Sequence, residues 1–340
     1  MIDTEDFAAV LPTLAGLRLR HFRGPDDFPG MAAANMAMRL ACGAEEAVTV
    51  ETLTNQYAHL SNSDLEWDLA IVEVDGPVVG YVRVEWSDQN DGSRSYDNIC
   101  FLDPAVQRRG IGTAMLRWSE SRRREIASDH AADKPRWLGS ETLGTDDGAR
   151  RLLAAHGYRP VRTFYNMVRP TLDGVPKVVV PEGFEIRPVG MADMRAVWEA
   201  DLKAFRDHWG SFDDSEEGFA RFVGDPRLDP SLHVVAFAGD EVAGAVINEI
   251  DDAENALFDR RRGLLDSVFV RRPYRRRGLA RALIQRSLAV LRDRGMTSAW
   301  LGVDAENPNA ALQLYRSCGF APTTSTTRYR KPLDLPGEET

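Results

Sequence analysis

Four short sequences occur twice in this chain in the same order, and this repetition limits the possible folds more than any other feature. The clearest is QRRGIG at residues 107–112, which returns as RRRGLA at residues 275–280. The other pairs are VGYVRVE and AGAVINE, WLG and WLG, and HGY and CGF, at residues 79–85 and 243–249, 137–139 and 300–302, and 156–158 and 318–320. Nearly constant spacing between the members of each pair indicates two copies of one domain with loop insertions.

Turn-forming residues mark the boundary between the copies. TLDGVP at 171–176 and PEG at 181–183 carry the proline, glycine and aspartate typical of loops. We therefore predict an N-terminal domain over residues 1–170, a linker over 171–182, a C-terminal domain over 183–335 and a short tail over 336–340. A chain of 340 residues suits two domains of ordinary size.

Each copy alternates between strand and helix patterns. The second copy predicts a strand, a helix, a hairpin around Gly239-Asp240, and then strand, helix, strand, helix and a final strand. Apolar residues at helical spacing follow residue 278, and Asn307-Pro308 reads as an N-cap followed by proline at the start of the last helix. This order predicts a mixed α/β fold for each copy.

Composition narrows the possible functions. A formal net charge of -10 and a pI near 5.2 disfavour a protein that binds nucleic acid or anionic membranes by neutralising phosphates. The sequence has no run of about 18 apolar residues, and its N-terminus is acidic, so we expect a cytoplasmic protein with no membrane span. The three cysteines and six histidines show no disulfide or metal-ligand spacing. We expect no metal.

The repeated arginine- and glycine-rich segments are the strongest functional signal. Each lies between a predicted strand and a predicted helix, whose first backbone N–H groups lack partners within the helix and can bind an anion. Gly278 allows the backbone to approach a ligand closely. The sequence has neither a nucleotide P-loop nor the third glycine of a dinucleotide fingerprint. An arginine run is also common on solvated surfaces, but its repetition favours an anion-binding loop for a diphosphate.

Three features together give the sequence a family resemblance. The order of elements, the Arg-x-x-Gly-x-Ala of residues 275–280 and Leu314-Tyr315 shortly before Gly319-Phe320 resemble the GNAT acyltransferase superfamily. The resemblance covers nearly the whole chain, twice, and the fused copies are similar to tandem acetyltransferases of the mycothiol-synthase type. It implies two tandem domains, each with a central mixed, mostly antiparallel sheet flanked by helices, and acetyl-CoA as co-substrate.

The resemblance also implies where acetyl-CoA binds. The backbone of Val268, Phe269 and Val270 would pair with the pantetheine amides. The anion-binding loop of the second copy would hold the diphosphate through Arg275, Arg276, Arg277, Gly278, Leu279, Ala280 and Arg281. The corresponding loop of the first copy consists of Gln107, Arg108, Arg109, Gly110, Ile111 and Gly112.

Acetyl transfer needs a base that takes a proton from the acceptor and an acid that protonates the departing thiolate. In the family the tyrosine of the Leu-Tyr motif is the acid, which implies that role for Tyr315, a phenol that is protonated at neutral pH. Asp266 lies where several family members carry a base, and strict alternation puts it on the face of Val268 and Val270. Glu249, on the neighbouring strand, is a second candidate base acting through water. A structural role is the alternative for each.

The first copy lacks both groups. Asn98 stands where the second copy has Asp266, and Leu153 stands where it has Tyr315. We predict that the first copy is degenerate, keeping an anion-binding loop without turnover. Binding of CoA and a structural role, covering the active copy and shaping its acceptor cleft, both stay open for it.

Fewer signals define the acceptor end of the site. Asn307 and Asn309 flank the position of the family asparagine and are candidates for contact with pantetheine, with helix capping as the alternative for Asn307. His208 and Trp209 follow the first helix of the second copy and are candidates for substrate contact, with packing as the alternative. We predict an N-acetyltransferase for a small-molecule amine, acting as a monomer or homodimer. Acetylation of a cysteinyl amine, as in mycothiol synthesis, acetylation of a protein amine, and acyl-CoA binding without turnover are the alternatives.

Overall fold

The computed structural model describes Pro12 and residues 14–206, 208–211, 213–307 and 311–333. The chain divides into two compact units. Of the described residues, unit 1 contains those within 1–162, 209–211 and 326–333, and unit 2 contains those within 163–208 and 212–325. Two of the boundaries between the units along the chain therefore fall within strands, near residues 163 and 326.

The elements follow the alternation that the sequence predicts. In the first half of the chain they are β1 (Leu17–His21), α1 (Phe28–Ala41), α2 (Val50–Ala58), β2 (Leu69–Val74), β3 (Val78–Asp88), β4 (Arg94–Leu102), α3 (Ile111–Ser128), β5 (Arg136–Leu143), α4 (Asp147–Ala155) and β6 (Arg159–Arg169). In the second half they are β7 (Glu185–Arg187), α5 (Met194–Phe205), α6 (Glu216–Val223), β8 (Val234–Ala238), β9 (Glu241–Glu249), α7 (Asp252–Leu257), β10 (Arg262–Val270), α8 (Leu279–Asp293), β11 (Ser298–Asp304), α9 (Ala311–Ser317) and β12 (Ala321–Pro332).

Both units contain the same kind of sheet. In unit 1 the strand order is β1-β2-β3-β4-β5 followed by residues 326–332 of β12. In unit 2 it is β7-β8-β9-β10-β11 followed by the part of β6 that begins at residue 163. All pairs are antiparallel except β4 with β5 and β10 with β11. The predicted mixed, mostly antiparallel sheet is confirmed. The last strand of each sheet comes from the other repeat: β6 follows α4 of the first repeat and joins the sheet of unit 2, and β12 follows α9 of the second repeat and joins the sheet of unit 1.

Helices cover the sheet of each unit on two sides and enclose apolar cores. In unit 2 we call these the α8-side core, which includes Val246, Leu283, Leu301, Tyr315 and Phe320, and the α5-side core, which includes Val197, Val235, Ala245, Ile247 and Phe269. Unit 1 has an α3-side core with Val82, Val84 and Met115, and an α1-side core with Met31, Tyr81 and Phe101.

Local signals fix several element boundaries. The predicted hairpin at Gly239-Asp240 is confirmed, since β8 and β9 flank these two residues. The Asp146 side chain accepts a hydrogen bond from the backbone N–H of Ala149 at 2.8 Å and caps α4, and Ser215 caps α6 in the same way. No helix within the described ranges is both long enough and apolar enough to cross a membrane.

The glycine shared by the VGYVRVE and AGAVINE segments has a packing role. A Cβ on Gly80 would lie 2.7 Å from the carbonyl oxygen of Phe101, and one on Gly244 would lie 2.6 Å from that of Phe269. Both contacts are with backbone, which cannot move without disturbing the strand pair. The repeat therefore keeps glycine where two strands approach closely.

We expect Gly80→Ala and Gly244→Ala each to lower the free energy of unfolding by about 1–3 kcal/mol, the usual cost of overpacking. Denaturant titration measures the change. Gly190→Ala is the control, because a Cβ there meets no atom within 4 Å. Equal stability of all three variants would contradict the packing role.

Candidate active site

The two anion-binding loops have the same backbone conformation. In unit 2, Arg276 and Gly278 have φ of 61° and 83°, and in unit 1, Arg108 and Gly110 have φ of 64° and 83°. Each glycine is the residue before the helix, and neither helix start is capped by a side chain. The free N–H groups of α3 and α8 can therefore point at an anion. The two copies therefore share one loop conformation, and anion binding by these loops stays a prediction.

The first side chain of each loop donates hydrogen bonds to backbone carbonyl oxygens, whereas several of the following arginines are exposed. Arg275 donates from Nε to the carbonyl oxygen of Val270 at 2.9 Å and from Nη2 to that of Ala204 at 2.8 Å. Gln107 donates to the carbonyl oxygen of Leu102 at 3.3 Å, the equivalent contact in unit 1. The first side chain of each loop thus ties the loop to the preceding strand.

The remaining loop residues have other environments. Arg277 donates to the carbonyl oxygen of Glu182 at 3.0 Å and lies over the ring of Phe184. Leu279 and Ile111 are buried, and Ala280 and Gly112 are half-buried. The exposed arginines, which can approach a bound anion, are Arg108, Arg109, Arg276, Arg277 and Arg281.

A β-bulge interrupts β10 beside the end of β9. The register between the two strands shifts by one residue between Leu265 and Ser267, so Asp266 is an extra residue without a partner in the ladder. Leu265 and Val268 both pack in or against the α8-side core. The strict alternation used to place Asp266 therefore breaks at Asp266 itself.

Four carboxylates gather around the bulge: Asp201 on α5, Asp225 after α6, Glu249 at the end of β9, and Asp266. We call them the carboxylate cluster. Their charges act on one another, since Asp266 influences Asp201 and Glu249, and Asp225 influences Glu249 and Asp266. The cluster joins two of the sequence candidates, Glu249 and Asp266, to two carboxylates that the sequence analysis missed.

Arg227 contacts two members of the carboxylate cluster, Asp225 and Glu249. Its Nε and Nη2 donate to the two carboxylate oxygens of Asp225 at 3.0 and 2.8 Å, and its Nη1 lies 3.1 Å from Oε2 of Glu249. Ser267 donates from Oγ to Oδ1 of Asp201 at 2.6 Å. Neither Arg227 nor Asp201 carries a sequence signal of its own, since one lies in a loop and the other within an amphipathic helix.

Burial and like charge raise the pKa of three carboxyls in the cluster. Glu249 is 8% exposed, and desolvation, followed by the charge of Asp266, raises its pKa against the attraction of Arg227. Asp266 reaches solvent, yet the protein around it still raises its pKa by desolvation, again opposed by Arg227. Desolvation raises the pKa of Asp201 to about 7. Proton uptake and release near neutral pH are therefore available here.

Tyr315 is buried in the α8-side core. Its ring meets that of Phe320 edge to face, with centroids 6.2 Å apart. Desolvation raises the pKa of Tyr315 well above its ordinary value, so the phenol is fully protonated at neutral pH and can serve as a proton donor.

Unit 1 carries Leu153 at the position of Tyr315. The backbone N–H of Tyr158 donates to the Leu153 carbonyl at 3.0 Å, as the N–H of Phe320 donates to that of Tyr315 at 3.1 Å. Leu153 is buried and has no titratable group.

The strands of unit 1 pair without a bulge. β3 and β4 stay in register from Gly80 to Asp88, so Asp97 pairs with Glu85 and Asn98 pairs with Val84. Asn98 is 4% exposed, and its partner Val84 lies in the α3-side core. The residue opposite Glu85 in unit 1 is thus Asp97, one position from the Asn98 that counting along the sequence selected.

The space beside β5 and β11 also differs between the units. A Cβ on Gly139 of β5 would overlap the Asp97 carboxylate, whereas one on Gly302 of β11 would meet no atom within 4 Å. The Asp97 side chain therefore fills in unit 1 a space that is open in unit 2.

The contacts of the remaining sequence candidates among the described residues are as follows, and their roles stay predictions. His208 packs its ring on Phe205 with centroids 4.3 Å apart in unit 2, while Trp209 groups with unit 1, where Arg330 lies 4.8 Å from the centre of its ring. The N–H of Asn307 donates to the carbonyl oxygen of Asp304 at 3.2 Å. Asn309 lies outside the described residues. Within the described ranges, no three His, Cys, Asp or Glu residues form a group that could hold a metal.

The repeat, the mixed sheet and the paired anion-binding loops define the class of protein. The model of the acetyltransferase (GNAT) family matches residues 37–158 and 194–320, once for each repeat. The chain belongs to this family and is an acetyltransferase, and the family uses acetyl-CoA as co-substrate. The resemblance that the sequence motifs indicated is confirmed.

Relatives resemble the chain over most of its length. The mycothiol acetyltransferases of Geodermatophilus obscurus and Nocardia farcinica are each 26% identical to it, over 74% and 88% of this chain and 78% and 91% of the relative. A GCN5-related N-acetyltransferase from Sphaerobacter thermophilus has a TM-score of 0.71 and 28% identity over 97% of this chain and 99% of that one. A tandem GNAT protein from the clavulanic acid biosynthesis pathway, at 18% identity, shares the fold with a TM-score of 0.66, covering 94% of this chain and 99% of that one.

We expect Gly278→Ala to weaken acetyl-CoA binding by about 10-fold, because a loop with a Cβ at this position relaxes out of the left-handed conformation when empty and pays about 1–2 kcal/mol to regain it on binding. Titration calorimetry measures the affinity. Gly295→Ala is the matched control, since Gly295 has φ of 85° at the other end of the same helix. Equal weakening by both variants would contradict a specific role for the loop.

Proposed function

We propose that unit 2 transfers the acetyl group of acetyl-CoA directly to the amine of a small-molecule acceptor, while unit 1 has no turnover. The observation that carries this proposal is the difference between the two repeats. Unit 2 combines the bulged Asp266, the buried Glu249 and the protonated Tyr315, whereas unit 1 has a regular ladder and Leu153.

The geometry of β10 supports a place for acetyl-CoA. β10 and β11 pair only over Arg262–Leu264 among the described residues, so the edge of β10 from Val268 to Val270 is available to the pantetheine amides. The anion-binding loop follows directly and suits the diphosphate. The unpaired backbone of the bulge can donate a hydrogen bond to the thioester carbonyl, where negative charge develops during attack.

The proposed proton path uses the carboxylates of Glu249 and Asp266 and the phenol of Tyr315, in whose place unit 1 has Leu153. The acceptor amine attacks the thioester carbon and forms the C–N bond while the C–S bond breaks. Its proton passes to the carboxylate pair of Glu249 and Asp266, with Glu249 acting directly or through water, and Tyr315 donates a proton to the departing thiolate. A carboxyl with a raised pKa is a stronger base than an ordinary one once it has lost its proton.

Replacing the proposed acid tests this path. We expect Tyr315→Phe to lower kcat by about 10²- to 10⁴-fold while leaving acetyl-CoA affinity unchanged, because only proton transfer is lost. Release of free CoA thiol measures turnover, and titration calorimetry measures affinity. A protein that only senses acyl-CoA would be indifferent to this substitution, and full activity in Tyr315→Phe would remove Tyr315 from the mechanism.

The pH profile separates the two candidate bases. Asp266 raises the pKa of Glu249, together with Asp225 and Asp251, and Arg227 lowers it. Removing the negative charge in Asp266→Asn lowers the pKa of Glu249, so the base loses its proton at lower pH and the acid limb of kcat/KM moves to lower pH. Loss of nearly all activity across the profile would instead identify Asp266 as the base.

A cysteinyl amine is the second candidate acceptor. The observation that favours it is that several relatives, including those of Geodermatophilus obscurus and Nocardia farcinica, are named mycothiol acetyltransferases. Comparing the rate of acetylation of a cysteinyl amine with that of amines lacking the thiol tests this alternative.

A further inference from the structure

The strands β10 and β11 stop pairing before either strand ends. Among the described residues their last pair is Leu264 with Trp300, although β10 continues to residue 270 and β11 to residue 304. We call the region between the two strands beyond this pair the β10–β11 gap. Because the strands are parallel, counting two residues beyond the last pair places Asp266 on one side of the gap and Gly302 on the other.

Gly302 faces open space on the side of α5. Its neighbours Leu301 and Val303 are buried in the α8-side core, so alternation turns Gly302 to the other side of the sheet. Gly302 is exposed, and a Cβ built on it would have no atom of the described residues within 4 Å. Since apolar carbons are in contact at about 3.5–4.0 Å, a carbon atom at that point still has room around it. The gap can therefore hold a carbon chain beside Gly302.

The same position in unit 1 is filled. A Cβ on Gly139, the repeat equivalent of Gly302, would overlap the carboxylate of Asp97 and lie 2.9 Å from Oγ of Ser95. Both glycines follow the same Trp-Leu pair of the repeat. The open space is therefore a property of the unit that keeps Tyr315 and not of the repeated WLG sequence.

A thioester bound as proposed would direct its acyl chain into this space. Its carbonyl carbon is trigonal and carries the oxygen, the sulfur and the acyl chain in one plane. The oxygen accepts a hydrogen bond from the backbone at the bulge, and the sulfur follows from the pantetheine along Val268–Val270, so both lie on the β10 side. The acyl chain then points away from β10, towards Gly302 of β11, and the acceptor amine attacks from one face of the plane.

We infer that unit 2 also transfers propionyl and butyryl groups, and that the missing side chain of Gly302 makes room for these longer acyl chains. This inference rests on the proposed function and adds the class of acyl donor. The reaction is unchanged: the C–N bond forms while the C–S bond of the longer thioester breaks. The amine proton passes to the carboxylate pair, and Tyr315 protonates the departing thiolate.

Thioesters of increasing length test the inference. The probes are acetyl-, propionyl- and butyryl-CoA, each given to the full-length protein with the amine that reacts fastest with acetyl-CoA, and release of CoA thiol measures kcat/KM. We expect kcat/KM for propionyl- and butyryl-CoA to lie within about 10-fold of that for acetyl-CoA, because a site with room for a methylene discriminates weakly against it. A larger drop for either longer thioester would overturn the inference.

Filling the space locates the acyl chain. Gly302→Ala and Gly302→Val place carbon atoms in the gap without a steric conflict with the described residues, so far-UV circular dichroism should show both folded. We expect the ratio of kcat/KM for butyryl-CoA to that for acetyl-CoA to fall by about 10-fold in Gly302→Ala and further in Gly302→Val, because the added carbons occupy the space of the chain. An unchanged ratio in both variants would overturn the assignment.

Gly190→Ala is the matched control for these variants. Gly190 is also exposed, and a Cβ on it meets no described atom within 4 Å, but it lies between β7 and α5 and outside the gap. We expect its butyryl-to-acetyl ratio to equal that of the intact chain. A fall in this variant as large as in Gly302→Ala would contradict a specific role for Gly302.

Affinity separates this inference from the proposed function, because titration calorimetry with each acyl-CoA does not depend on turnover. Acetyl transfer without propionyl or butyryl transfer keeps the proposed function and overturns the inference. Absence of transfer from every thioester contradicts the proposed function. In that case, a loss of butyryl-CoA affinity relative to acetyl-CoA in Gly302→Val would still support the place of the acyl chain, and equal affinities would overturn it.

Discussion

The chemistry proposed for unit 2 depends on Asp266, the one extra residue that β10 has relative to β9 at their bulge. The bulge at Asp266 releases that residue from the ladder, and its charge then acts on Glu249 and Asp201. In unit 1 the equivalent strands stay in register, Asp97 faces Glu85, and its carboxylate fills the space beside Gly139. The two copies of the domain thus share a kind of sheet and a loop conformation but differ in local strand register, and the proposed difference in chemistry follows from that register.

The two units also differ in the charges that surround their carboxylates. In unit 1, Glu85 is paired with Arg83 while desolvation raises the pKa of Asp97. In unit 2, Glu249 and Asp266 both have a raised pKa, opposed by the single charge of Arg227. Such an arrangement costs folding free energy whenever the groups ionise without a partner. Carboxyl groups with raised pKa values that lower the stability of a fold are typical of sites that bind a ligand or carry out a reaction.

Features that depend on neighbouring residues along the chain were predictable from the sequence. The alternation of elements, the hairpin at Gly239-Asp240 and the conformation of the two loops follow from periodicity and from glycine at fixed positions. The bulge at Asp266 was not predictable, because LLDSVFV also fits a regular strand. Arg227 and the exchange of β6 and β12 between the sheets were missed as well, since both depend on contacts between distant parts of the chain.

Deleting Asp266 tests the central claim most directly, because it removes the bulge and gives β10 the regular register of β4. The measurement is the rate of acetyl transfer by the full chain lacking this residue, with circular dichroism and acetyl-CoA titration on the same sample. The account predicts a folded protein that binds acetyl-CoA and has lost turnover by about 10³-fold or more, as expected when positioned proton transfer is lost. A folded deletion variant with turnover close to that of the intact chain would contradict it.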